Sequence, residues 1–187
     1  MCAIHGYCWQ DEKLIGEMLC KAHHRGPDGQ GTFFNDDISL GHNLLSITDT
    51  PNQSKQPWEY KDIVLVFNGE IYNHMDLRKS LDYKFKTDTD TETLAVGLEK
   101  KGIKFIYELD GMFAFACYNK VNKKIWLVRD INGAKPLYYG HHHGKLAFSS
   151  EVKSLLECGF SRKVDKEAFG HFYKQGYVAG PMTLFDG

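Results

Sequence analysis

The sequence predicts an α+β fold built from antiparallel layers. Four strand-like segments, at residues 112–118, 124–130, 136–140 and 145–149, follow one another with only short turns between them, so neighbours pair antiparallel. Helical patterns stand before and after this hairpin array instead of alternating with single strands, which excludes a doubly wound parallel sheet. The run Ile63, Val64, Leu65, Val66 and Phe67 is apolar throughout, as a buried strand is.

In chain order, residues 2–8 read as a short strand. From Asp11 the apolar Leu14, Ile15, Met18, Leu19 and Ala22 recur at helical spacing and predict a helix to about His23. Arg25-Gly26-Pro27-Asp28-Gly29 ends it, because glycine and proline do not continue a helix. Residues 32–34 and 38–47 follow as strands, and the polar residues 48–61 read as a loop. The apolar run is expected to stop at Asn68-Gly69, and residues 75–81 form a weak helix. Thr89 and Glu92 make a capping-box pattern ahead of a helix through Leu94, Val96 and Leu98. Beyond the four hairpin strands, helices at 151–157 and 165–173 complete the pattern.

The chain has 187 residues, 42% of them apolar and 25% charged. That length predicts one domain with a short tail, and at this size about 70% of the unfolded surface can be buried without a metal or disulfide staple. The 23 basic and 24 acidic residues nearly cancel to a formal charge of −1. Nothing electrostatic therefore points to nucleic acid or an anionic membrane as partner. No apolar run approaches the ~20 residues of a membrane span. Asp11 and Glu12 stand where a signal peptide would carry its apolar stretch, so a soluble cytoplasmic protein is expected. The cysteines Cys2, Cys8, Cys20, Cys117 and Cys158 show no CxxC spacing, which argues against a zinc site and a disulfide framework. Cys20, Cys117 and Cys158 are expected as core fillers.

Cys2 differs by its place. Aminopeptidases remove Met1 before a small residue, which would leave the α-amine of Cys2 beside its own thiol. Their ordinary pKa values, about 8 and about 8.5, are matched for proton exchange near neutral pH. The thiolate attacks carbonyls and the amine can serve as its base; the bland alternative is a small residue in a terminal strand. Asn68-Gly69 reads either as an oxyanion hole, from the side-chain amide and the backbone N–H, or as a hairpin turn. Asp90, just after the helix cap, either favours the helix N-terminus electrostatically or binds a substrate ammonium. The run His141-His142-His143 between two strands reads as a solvated hairpin tip in preference to a metal site, because adjacent residues diverge. His23-His24 reads as a helix end.

Taken in order, several segments resemble a known family. They are Met1-Cys2-Ala3-Ile4-His5-Gly6, Arg25-Gly26-Pro27-Asp28, residues 40–47, residues 67–73, Thr89-Asp90-Thr91-Glu92, residues 109–116, Arg129-Asp130, residues 135–139 and residues 148–151. Together they are similar to the class II glutamine amidotransferases of the N-terminal-nucleophile hydrolase superfamily, as found in the N-terminal half of asparagine synthetase. The resemblance implies a four-layer αββα sandwich of two mainly antiparallel sheets, with the cysteine at the end of a central strand. It implies Cys2 as nucleophile with its α-amine as base, Asn68 and Gly69 as oxyanion hole, and Asp90 as the holder of the glutamine α-ammonium. Leu44, Leu45, Ser46, Ile47, Thr48 and Glu70 would line the rest of the glutamine pocket. The implied reaction is attack on the carboxamide, release of ammonia and hydrolysis of a γ-glutamyl thioester.

The resemblance also sets out the organisation. Residues 1–175 would be the amidotransferase domain, and residues 176–187 resemble the linker into a synthetase domain. The Ser-Gly-Gly-x-Asp-Ser loop of that domain's ATP site has no counterpart here, so the ammonia would pass to a synthetase domain or subunit elsewhere. No cofactor and no metal are expected in this chain; ATP and Mg are expected only on that partner, and a homodimer is expected from the family. At Leu44 the family carries an arginine that grips the glutamine α-carboxylate, and leucine offers no substitute contact. Two other readings follow: a degenerate domain kept as a docking or regulatory subunit, and an amidohydrolase for an amide without a free carboxylate. Arg25, Arg78 or a partner subunit are the candidates for a replacement cation.

Overall fold

Two antiparallel sheets face one another, and the alternation of side chains along their central strands explains why. In β5 (Ile63–Ile71), Ile63, Leu65 and Phe67 enter one apolar cluster while Val64 and Val66 enter another. The neighbouring β6 (Gly111–Asn119) does the same, with Phe113, Phe115 and Cys117 on one side and Ala114, Ala116 and Tyr118 on the other. Successive strand residues point to opposite faces, so a continuous apolar run needs cover on both. The computed structural model describes residues 1–46 and 55–186.

The first sheet has the order β2-β3-β1-β9-β8, built from β1 (Ala3–Tyr7), β2 (Gly29–Phe34), β3 (Ser39–Leu44), β8 (Tyr138–His142) and β9 (Lys145–Ser149). The second has the order β4-β5-β6-β7, with β4 (Trp58–Tyr60) and β7 (Ile125–Arg129) at its edges. Ile4, Leu40 and Phe148 of the first sheet meet Val64, Val66, Ala114 and Ala116 of the second in a fully buried layer. On the outer face of the first sheet, α1 (Glu12–Lys21) and α4 (Val152–Leu155) pack Ile15, Met18 and Leu155 against Tyr7 and Ala147. On the outer face of the second, α2 (His74–Ser80) and α3 (Asp90–Lys101) bring Leu77, Leu94 and Leu98 onto Leu65 and Phe115. The fold is thus the α+β, four-layer αββα arrangement. A last helix, α5 (Lys166–Gln175), is capped by Asp165, and the chain beyond it pairs back through Val164 and Phe185. No helix among the described residues is long and apolar enough to cross a membrane.

The structure corrects several local expectations. β5 does not stop at Asn68-Gly69; it continues to Ile71, with Asn68 opposite Ala114 and Gly69 opposite Phe113. The ladder to β6 outlasts the apolar run and overrides the turn propensity of Asn-Gly. A Cβ on Gly69 would stand 2.4 Å from the Met112 carbonyl oxygen, so the strands approach there as only glycine permits. Trp58–Tyr60 is a short strand inside the expected loop. Residues 102–108, for which the sequence pattern predicts no element, form a 3₁₀ turn that seats Phe105 under α3. Thr89 does cap α3 by accepting from Glu92 N. The Glu92 carboxylate, however, accepts from Lys86 N and Thr87 N instead of returning to Thr89. Cys117 and Cys158 are buried, but Cys20 is exposed on α1 and fills no core. His143 and Gly144 both take positive φ and form a two-residue hairpin tip, whereas His141 and His142, expected in the tip, lie in β8 paired with Leu146 and Lys145. No metal-binding cluster occurs among the described residues.

The turn after β7 is held from within. Asp130 accepts hydrogen bonds from Phe113 N at 3.1 Å, Asn132 N at 3.0 Å and Ala134 N at 3.0 Å. Burial alone would raise its pKa, but these backbone donors outweigh it and hold the carboxyl below the usual carboxylate range. Asp130→Asn keeps the shape and removes charge-assisted acceptance, so it is expected to cost about 2 kcal/mol. For a domain of this size that lowers Tm by about 4–8 °C, measured by thermal unfolding at pH 7. Because the folded pKa is depressed, the carboxylate's contribution is full above the unfolded value. It is lost as pH falls through the folded one, so the wild-type advantage over Asp130→Asn should vanish in strong acid.

Candidate functional site

At one end of the interface between the sheets lies a cavity of about 110 Å³. Cys2, one residue before β1, shares the parity of Ile4, whose side chain faces the second sheet. Leu44 stands at the end of β3, on the face of Leu40, and Asn68 stands on β5, on the face of Val64 and Val66. Strand alternation therefore aims Cys2, Leu44 and Asn68 into one space from opposite sheets. Leu45, Ser46, Gly69, Glu70 and Asp90 line the same cavity. Ile47 and Thr48, also expected there, lie outside the described residues.

The Cys2 thiol is seated against the backbone of Leu45, whose N–H donates to Sγ at 3.4 Å. Burial pushes its pKa up, and the Leu45 backbone, the N-terminal charge, Lys135 and Arg25 pull against that rise. Arg25 donates from Nε to the Cys2 carbonyl oxygen at 3.1 Å and from Nη1 to Glu151 at 2.9 Å. These two donors fasten the N-terminal segment to Glu151 at the start of α4, and Nη2 donates to Met1 Sδ at 3.4 Å. Arg78, the other candidate replacement cation, donates to Thr93 Oγ1 and to the carbonyls of Thr87 and Thr89. Neither arginine is among the residues that line the cavity.

Opposite the thiol, Asn68 is 2% exposed and its Nδ2 has no hydrogen-bond partner among the described residues. A buried amide donor left unspent costs about 1–3 kcal/mol, so this is a place where a ligand acceptor would be welcome. The neighbouring backbone is prepared in the same sense. Phe67 N donates to Gln56 Oε1 at 2.6 Å, and Ile71 N donates to Asp90 Oδ2 at 2.9 Å. N–H groups alternate in direction along a strand, so Gly69 N–H, between these two, points to the same side. Gln56 also places Nε2 3.5 Å from Thr91 Oγ1. Gln56, Phe67, Thr89, Thr91, Lys135 and Met1 complete the lining. Sequence reasoning missed Gln56 and Lys135, because both sit in segments without a motif of their own. The only sequence cue was Lys135 in the stretch that resembled the family.

Behind the thiol, His5 is buried in β1 with Nε2 at 2.9 Å from Asn43 Oδ1 and Nδ1 at 2.9 Å from Ser149 Oγ. Asn43 Nδ2 donates to Leu19 O, which leaves Oδ1 as acceptor and puts the His5 proton on Nε2. Burial lowers the His5 pKa to about 4 and that of His42 to about 3. Both rings are neutral at pH 7.

Two outcomes follow. Because these histidines are depressed in the fold, the unfolded chain binds more protons below pH ~6.5. Stability is thus expected to fall between about pH 6.5 and pH 4, and His5→Gln should flatten that fall in urea titrations. Alkylation of Cys2 by iodoacetamide in the Met1-bearing chain should reach half its maximal rate above the ordinary thiol value of about 8.5, as followed by peptide mass; a midpoint below that value contradicts the burial argument.

A family model described as a glutamine amidotransferase domain matches residues 1–187. Asparagine synthetase (glutamine-hydrolyzing) 1 of Bacillus subtilis is 39% identical over 178 residues, covering 92% of this chain and 28% of that protein. A putative asparagine synthetase (glutamine-hydrolyzing) 2 of Methanocaldococcus jannaschii is 32% identical over 212 residues, covering 99% of this chain and 41% of that protein. The chain thus spans well under half the length of these curated relatives. Among solved structures, the glutamine phosphoribosylpyrophosphate amidotransferase of Bacillus subtilis complexed with ADP and GMP matches with a TM-score of 0.70. It is 18% identical and covers 85% of this chain and 44% of that one, a likeness of fold.

Proposed function

The chain belongs to the glutamine amidotransferase domain family, and from that premise we propose that it hydrolyses glutamine and hands the ammonia to a synthetase domain or subunit. The observation that carries the proposal is the unspent amide of Asn68, buried in one cavity with the Cys2 thiol and the Asp90 carboxylate.

Removal of Met1 frees the Cys2 α-amine. The amine takes the thiol proton, and the thiolate attacks the δ-carboxamide carbon of glutamine. Negative charge develops on the carboxamide oxygen, where Asn68 Nδ2–H and Gly69 N–H donate to it. The protonated amine then gives its proton to the departing nitrogen, releasing ammonia and leaving a γ-glutamyl thioester. A water deprotonated by the same amine cleaves the thioester to glutamate and restores the thiol. Asp90, held by Ile71 N at the start of α3, takes the substrate α-ammonium. The names of the relatives support a partner that makes an amide from this ammonia; ATP and Mg belong to that partner, and this chain needs no cofactor for its half of the reaction. The apolar wall at Leu44, 7% exposed, supports a second reading in which the substrate is an amide without a free carboxylate.

Cys2→Ala should abolish glutamate release while leaving the circular dichroism spectrum unchanged. Asn68→Ala should lower kcat about 10²–10³-fold with a smaller effect on KM. Glutamate release that survives Cys2→Ala sinks the proposal, and hydrolysis restricted to amides without an α-carboxylate favours the second reading.

A further inference from the structure

We propose that Lys135 is the cation that receives the α-carboxylate of the substrate amino acid, an assignment that rests on the glutamine reading above. Leu44 lines the cavity where a carboxylate must lie, and it offers no hydrogen bond. A carboxylate taken out of water without a cation is strongly disfavoured. The cavity already presents the carboxylates of Glu70 and Asp90, which suits an ammonium and repels a second anion. Among the described residues, Lys135 supplies the cationic side chain that lines this cavity. Its ammonium makes no hydrogen bond or ion pair with them, unlike Arg25 and Arg78.

The backbone of Lys135 is well placed to hold such a charge steady. Arg129 donates from Nε to the Lys135 carbonyl, and the preceding turn is bound to Asp130 through Asn132 N and Ala134 N. The side chain is half-buried and close enough for its charge to act on the Cys2 thiol. Lys55 lines a separate cavity that shares Leu44 and Gln56 as a common wall, so it stands beyond the site. Asp90 and Lys135 together match the two charges of a zwitterionic α-amino acid, with the reacting carboxamide left for Cys2 and Asn68.

The test uses protein whose Met1 removal is verified by intact mass, in a Cys2→Ala background that binds without turnover. Titration calorimetry compares glutamine with its α-amide, which keeps the ammonium and lacks the carboxylate. Lys135→Met should weaken glutamine about tenfold or more and leave the α-amide unchanged. Lys135→Arg should retain glutamine affinity, and Leu44→Arg should restore it to Lys135→Met by placing a guanidinium in the same cavity. Equal weakening of both ligands, no weakening of either, or a loss produced by Lys55→Met instead each overturns the assignment. Glutamate release by the Cys2 enzyme is measured separately. Glutamine binding that depends on Lys135 without any release would sink the glutaminase reading and leave the binding assignment standing.

Discussion

The packing of β1 and β5 across one buried apolar layer is the constraint on which the rest depends. Ile4 and Leu40 on one side and Val64 and Val66 on the other make the sheets inseparable. The chain leaves that layer at Cys2 on one sheet and at Asn68 on the other. Side-chain parity cannot change within a strand, so the residues that follow the apolar pairs must also face each other. The cavity is the place where the same alternation continues after the apolar side chains run out. A one-residue slip in either strand would turn the thiol or the amide toward a helix layer.

Polar groups around this end keep the backbone from relaxing. Gln56 and Asp90 each accept one N–H of β5 beyond the reach of β4, so the strand stays extended where its edge partner has ended. Arg25 ties the carbonyl of Cys2 to Glu151, and His5, in the strand that follows Cys2, is clasped between Asn43 and Ser149. These contacts spend their donors and acceptors on the scaffold. The Asn68 amide and the Ser46 hydroxyl, both without partners among the described residues, line the cavity together with Lys135. The division separates residues that hold the site from residues available to a ligand.

Much of the secondary structure was legible because it rests on local chemistry. The Asp11 and Thr89 caps, the 3.6-residue spacing of Ile15, Met18 and Leu19, and the hairpins of the later strands all have short-range causes. The missed elements lack such causes. Trp58–Tyr60 becomes a strand only because β5 offers a partner, and residues 102–108 wind as a 3₁₀ turn to seat Phe105 beneath α3. Asn68-Gly69 carries the same short turn signal as Asn132-Gly133, yet the ladder to β6 draws it into the strand. Local propensity is worth tenths of a kcal/mol to about one, and a continuous ladder with two buried faces outweighs it.

The sequence by itself determined the layer class, the family resemblance and the chemical types of the candidate site residues, because residue type and order are all those need. Cys2, Asn68, Gly69 and Asp90 were identifiable as candidates from their types and neighbours alone. Only the tertiary structure decided that they share one cavity, that Arg25 and Arg78 are committed elsewhere, and that Gln56 and Lys135 join the lining. The reason is physical. Lys135 is separated from Cys2 by most of the chain, and its proximity depends on the register of β6 and β7 and on a turn wound around Asp130. No local pattern encodes a distance of that kind.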